Sequence, residues 1–178
     1  MSTIHERATE RADAAPTGTP VTTPAGIDPR GPQLAAALTA VVLAAVLLLA
    51  PHPAGIALLG VQTVLFAIGA VAGVQRTPTA WLFRTLVRPR LAPPTELEDP
   101  APPRFAQAVG LAFALVGLVA LLAGATVLGQ VAVGFALAAA LLNAVFAFCL
   151  GCEVYLLVSR LLAGARRTST TESARATA

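Results

Sequence analysis

Two cysteines and a carboxylate are the residues best suited to chemistry in this chain. The 178 residues include two cysteines, three positions apart, in the run Phe148-Cys149-Leu150-Gly151-Cys152-Glu153. On a helix, positions three and four apart share a face, so both thiols and the Glu153 carboxylate can converge. Close thiols can form and break a disulfide reversibly, and a neighbouring carboxylate can accept a proton. A structural metal site takes about four ligands, more than this cluster offers, so no metal and no other cofactor is expected. The competing reading is packing, because a buried cysteine behaves as a small hydrophobe. Glu153 has a case of its own, since an ionisable group at membrane depth is costly unless it reaches water.

The elements that position these residues follow from composition. The chain is 56% hydrophobic and 12% charged, where a soluble domain carries about 25% charged residues. So short and apolar a chain cannot cover itself with polar groups, and lipid is the solvent for much of it. A net charge of +3 is too small to point to nucleic acid. Four apolar runs stand out, at about 34–50, 54–74, 105–128 and 131–158. Each approaches or exceeds the roughly 20 residues a helix needs to cross a bilayer. None alternates as a barrel strand would, and backbone in lipid has no third option.

Pro51-His52-Pro53 joins the first two runs, and Gly129-Gln130 nearly abuts the last two. Links this short force antiparallel hairpins. The expected fold is therefore an all-α membrane protein of four transmembrane helices, built as two tandem hairpins in a domain spanning 27–165. The tails, 1–26 and 166–178, are too polar to bury a core and are expected to lack a fold.

All 12 basic residues are arginines, and they lie before the first run, in the central segment 75–104 and from Arg160 onward, none in the short links. The positive-inside rule then puts both termini and the central loop in the cytoplasm, with the chain in the cell membrane. Within that loop, Thr79–Val87 (TAWLFRTLV) reads either as a short interfacial helix with Trp81 at headgroup depth or as a continuation of the second helix. Arg88, Arg90 and Arg104 are candidates to attract an anionic partner there. Cys149 precedes Arg160 by 11 residues, or about 16 Å of helix rise, which sets the pair in the cytoplasmic half of the bilayer. On a single fourth helix the pair lies toward the C-terminal end, where the dipole disfavours a thiolate.

The hairpins echo each other. Asp28-Pro29 leads into the first helix as Asp99-Pro100 leads into the third, each expected to cap a helix start. Val64-Leu65-Phe66-Ala67 resembles Ala144-Val145-Phe146-Ala147, an alignment that sets Gly69 and Ala72 against Cys149 and Cys152. Gly110, Ala114, Gly117 and Gly124 form a small-residue stripe suited to close helix approach. Gln62, Gln107 and Asn143 read as interhelical hydrogen bonders, and His52 as a solvated loop residue.

Gly26-Ile27-Asp28-Pro29-Arg30-Gly31-Pro32, Val87-Arg88-Pro89-Arg90-Leu91, Leu97-Glu98-Asp99-Pro100, Pro102-Pro103-Arg104-Phe105-Ala106-Gln107 and Asn143 through Tyr155 together resemble the actinobacterial integral membrane family filed as domain of unknown function 4395. The resemblance spans about residues 26–160. It implies the topology, and a thioredoxin-like or sulfurtransferase protein as a cytoplasmic partner beside the lipid bilayer. Two functions remain. One is a thiol-disulfide or sulfur relay with Cys149 and Cys152 as the dithiol and Glu153 as proton acceptor. The other is a non-enzymatic scaffold or small-solute membrane protein whose cysteines only pack.

Overall fold

A computed structural model of the protein describes residues 26–176, with side chains through residue 163. The tail expected at 1–26 lies outside the described residues except for Gly26. Four helices are long and apolar enough to cross a membrane: α1 (Arg30–Leu49), α2 (Pro53–Ala72), α4 (Ala101–Leu122) and α5 (Thr126–Phe146). A short helix, α3 (Pro78–Leu82), lies in the central segment, and α6 (Leu150–Ala176) follows α5.

The crossing helices form a ring in which α1 neighbours α2 and α5, and α4 neighbours α2 and α5. Leu43 and Val46 of α1, Leu59 and Phe66 of α2, Ala114 and Leu121 of α4, and Val133 and Ala136 of α5 form the core. The outer faces carry Val41, Leu48, Val61, Val64, Val116 and Val119, all exposed. So continuous an apolar surface suits a bilayer and not water.

The two hairpins are related by an exchange that the contacts make visible. α1 packs on α5 as α4 packs on α2. Ile27 and Glu98, at matching positions of the two lead-in segments, donate to each other's carbonyls at 2.9 Å each. Asp28 Oδ1 accepts the Arg30 N–H at 3.0 Å, and Asp99 Oδ1 accepts the Ala101 N–H at 2.8 Å. Gln33 of α1 donates to Ala144 O near the end of α5 at 3.1 Å. Its counterpart Arg104 donates to Ala70 O and Val71 O near the end of α2, at 2.7 and 2.8 Å. In each case a side chain on the first helix of one hairpin satisfies carbonyls that the second helix of the other leaves unbonded.

Several expectations need correction. Gly129 and Gln130 are inside α5, and the link is Ala123–Ala125. Gly124 turns the chain there at φ 79. Gly129 serves packing instead, since a Cβ on it would sit 2.7 Å from Leu121 Cγ. Gly124 consequently drops out of the small-residue stripe, whereas Gly110 and Gly117 do receive Phe66 and Val133. His52 is exposed in its link, as expected, and in addition caps α2, its Nδ1 accepting the Ala54 N–H at 3.2 Å. The segment after α2 is not a continuation of that helix, because Gly73 breaks it at φ 97. Beyond the break, Phe83 is buried against Gly31, and Trp81 and Leu86 remain exposed, as an interfacial segment requires.

The largest difference concerns the fourth apolar run. It is two helices, divided at Ala147–Cys149. Ala147 adopts the left-handed conformation at φ 53, and the Phe148 N–H reaches Leu142 O at 3.3 Å. The Ala147 N–H points to the same carbonyl, so two successive amides close on Leu142 O and end the helix. The α6 backbone is helical to Ala176. Once a helix is nucleated, each added residue gains a bond at little cost.

Candidate functional site

The break in the fourth run decides the local chemistry. Cys149 stands just before α6, and its Sγ accepts the Cys152 N–H at 3.3 Å while its carbonyl accepts the Glu153 N–H at 3.0 Å. Cys149 is thus the N-cap of α6, with sulfur in the role that a Ser or Thr oxygen usually takes. The two cysteines are joined as a disulfide, their Cα atoms 5.1 Å apart, within the range a disulfide spans. Both are half-buried. On a single fourth helix the pair would lie near the C-terminal end. Here it lies at a helix start, where the backbone dipoles favour negative charge on sulfur.

Gly151 lets α6 come down onto α4. A Cβ on it would lie 2.6 Å from both Cα and Cβ of Ala106. One turn further, the Phe105 and Tyr155 rings meet at 5.7 Å. Glu153 is exposed in the first turn of α6, where its charge complements the dipole.

The disulfide lines a cleft of about 1180 Å³ that enters the bundle from the loop end. Its walls come from α1, α4, α5, α6 and the central segment. Asp28, Arg84, Arg88 and Glu98 stand at its mouth, with Phe113 and Phe135 at its other end. Those two rings lie 6.1 Å apart and are exposed on the lipid-facing surface. The lining is mixed: apolar side chains of the helices stand beside polar ones that include Gln33, Thr39, Gln107 and Asn143.

The side-chain amides divide into two groups. Gln33 donates to Ala144 O, and Gln62 donates to Thr39 Oγ1 at 3.5 Å. Those two bond across helices, as expected of polar side chains in a bundle. Gln107 and Asn143 make no side-chain hydrogen bond to another described residue. Both face the cleft. Residue type groups Gln62, Gln107 and Asn143 together and offers no signal that would separate them.

The three arginines named as partner-binding candidates differ in their surroundings. Arg88 is exposed at the cleft mouth. Arg90 donates to Leu86 O in its own turn. Arg104 is engaged by the α2 carbonyls. Arg84, not singled out from the sequence, joins Arg88 at the mouth. Among the described residues, no three His, Cys, Asp or Glu side chains gather as metal ligands.

Fold and site together define a class: a four-helix membrane bundle of two repeated hairpins, with a cysteine pair at the end of the second. The chain belongs to the family described as Domain of unknown function (DUF4395), which matches residues 27–160. No curated protein and no solved structure matches it.

Proposed function

We propose that the protein is a membrane thiol-disulfide exchange protein whose working group is the Cys149–Cys152 pair. One observation carries this reading. The disulfide caps the start of α6, half-exposed in a cleft, and is not sealed in the core. A disulfide stabilising a long loop closes many residues, whereas this one closes a single turn and constrains little.

The exchange balances as follows. A thiolate of a partner dithiol attacks Cys152 Sγ, and the Cys149–Cys152 bond breaks. Cys149 departs as a thiolate, favoured by the helix start and the Cys152 N–H. The partner's second thiol, losing its proton, then attacks its own sulfur in the mixed disulfide and releases Cys152. Two electrons and two protons pass from partner to pair, with Glu153 as the carboxylate that exchanges the protons in this reading. The arginine distribution favours both termini and this site on the cytoplasmic side, where a lasting disulfide is rare and a transient one is usually catalytic. Arg84 and Arg88 offer positive charge to an acidic partner of thioredoxin-like chemistry.

The test is thiol trapping in membranes over a series of dithiol-to-disulfide ratios. The pair is expected to switch as one two-electron unit, and Cys149→Ser to accumulate a mixed disulfide at Cys152. Full alkylation of both cysteines under every condition would refute exchange and leave the scaffold reading.

A further inference from the structure

Exchange with a partner leaves the pair reduced, and a repeated cycle then needs a two-electron acceptor. We infer that the cleft beside the cysteines binds a lipid-soluble quinone, which reoxidises the pair. This inference rests on the exchange reading for its chemistry, but not for the binding site itself.

Three observations point to this occupant. The cleft runs from the disulfide to Phe113 and Phe135, which are exposed to lipid. A ligand can therefore come from the bilayer without crossing water. At about 1180 Å³ the cleft exceeds the roughly 300–1,000 Å³ of a typical small-ligand site, leaving room for a ring and part of an apolar tail. Finally, Gln107 and Asn143 present amides without a hydrogen-bond partner among the described residues. Among the described residues no buried side-chain N or O atom lacks a partner, so both half-buried amides are open to a ligand in the cleft. Two N–H donors beside the apolar side chains of the cleft match a ring bearing two carbonyl oxygens. A lipid acyl chain would fill the space and leave both amides unbonded.

The redox step balances. Both S–H bonds break and the Cys149–Cys152 bond forms. The two electrons and two protons convert the quinone's two carbonyls to the two hydroxyls of a quinol.

The experiment uses the full chain in quinone-free lipid nanodiscs, with a benzoquinone bearing a decyl tail as probe. The first arm measures binding to protein carrying Cys149→Ser and Cys152→Ser, so that no thiol chemistry contributes. Saturable binding is expected. Ala140→Phe, which fills the cleft, and Asn143→Ala should each weaken it, the latter by about tenfold, the worth of one hydrogen bond. Absence of saturable binding, or binding unchanged in both variants, overturns the proposal. In the second arm, reduced wild-type protein freed of reductant receives the probe. One quinol per disulfide formed is expected, and a pair that stays reduced overturns the proposal. Ala140→Phe should still exchange with a soluble dithiol, which shows that it is folded. Quinone binding without dithiol exchange would refute the function proposed above and leave the binding site standing. Exchange without quinone binding would do the reverse.

Discussion

The two hairpins share one plan and differ at one end. Asp28 and Asp99 cap their first helices alike, and Leu43 and Ala114 are both fully buried at matching positions. Leu59 in α2 and Val133 in α5 are likewise both fully buried, and the two second helices end at Gly73 and Ala147. In each hairpin the chain then starts another helix behind a new cap. In the first, Thr77 Oγ1 accepts the Ala80 N–H at 3.2 Å. In the second, Cys149 Sγ accepts the Cys152 N–H at 3.3 Å. The same local geometry holds an inert oxygen in one half and a redox-capable sulfur in the other.

This pairing revises the alignment read from sequence. With Gly73 matched to Ala147, Gly69 stands opposite Asn143 and not Cys149. The cysteines lie beyond the helix end, in the region that Thr77 occupies in the first hairpin. Gly69 packs against Gln107, with an added Cβ only 2.8 Å from its Cγ. Both unbonded amides, Gln107 on α4 and Asn143 on α5, belong to the second hairpin.

The comparison can be broken first at the cap. Cys149→Thr gives the second hairpin the residue of the first. It should abolish disulfide exchange entirely while leaving the thermal unfolding midpoint in detergent nearly unchanged. A large drop in that midpoint would mean that the disulfide is structural. Next comes Gly151→Val, which drives a side chain into Ala106 and should cost about 1–3 kcal/mol as overpacking. Gly60→Ala is its control, because nothing lies within 4 Å of a Cβ there. Equal unfolding midpoints for the two would disprove the tight α4–α6 contact.

The helix breaks sharpen the comparison further. Gly73→Ala should destabilise by about 1–3 kcal/mol, since φ 97 with ψ 150 suits glycine. Ala147→Gly should stabilise by up to about 1 kcal/mol, by relieving a left-handed alanine. Denaturation of both variants, read by circular dichroism, should show opposite signs. The smallest effect concerns the paired caps. Asp28→Ala and Asp99→Ala should each cost about 1 kcal/mol. Similar losses support the hairpin equivalence, and a several-fold difference contradicts it.

Much of the fold could be read directly from the residues. The first three apolar runs, the Pro51-His52-Pro53 link and the Asp-Pro lead-ins are local patterns, and each specifies its element without reference to the rest of the chain. The break at Ala147 had no such signal. Phe146-Ala147-Phe148 contains neither Gly nor Pro, and alanine is an excellent helix former. The end of α5 is set by its surroundings: Gln33 from α1 bonds Ala144 O, and Gly151 seats α6 on α4. Arg104 shows the same limit, since a surface charge in the sequence became a helix-end ligand only when α2 and α4 met.

The sequence by itself determined that the chain crosses a membrane in two hairpins, because burying apolar backbone in lipid leaves helix as the answer wherever a long run occurs. It also determined that two thiols three residues apart can react with each other. Only the tertiary structure decided that this pair begins a helix instead of ending one, and that it lines a cleft. Those properties depend on which distant helices supply the capping groups and the close contacts. No spacing along the chain encodes them.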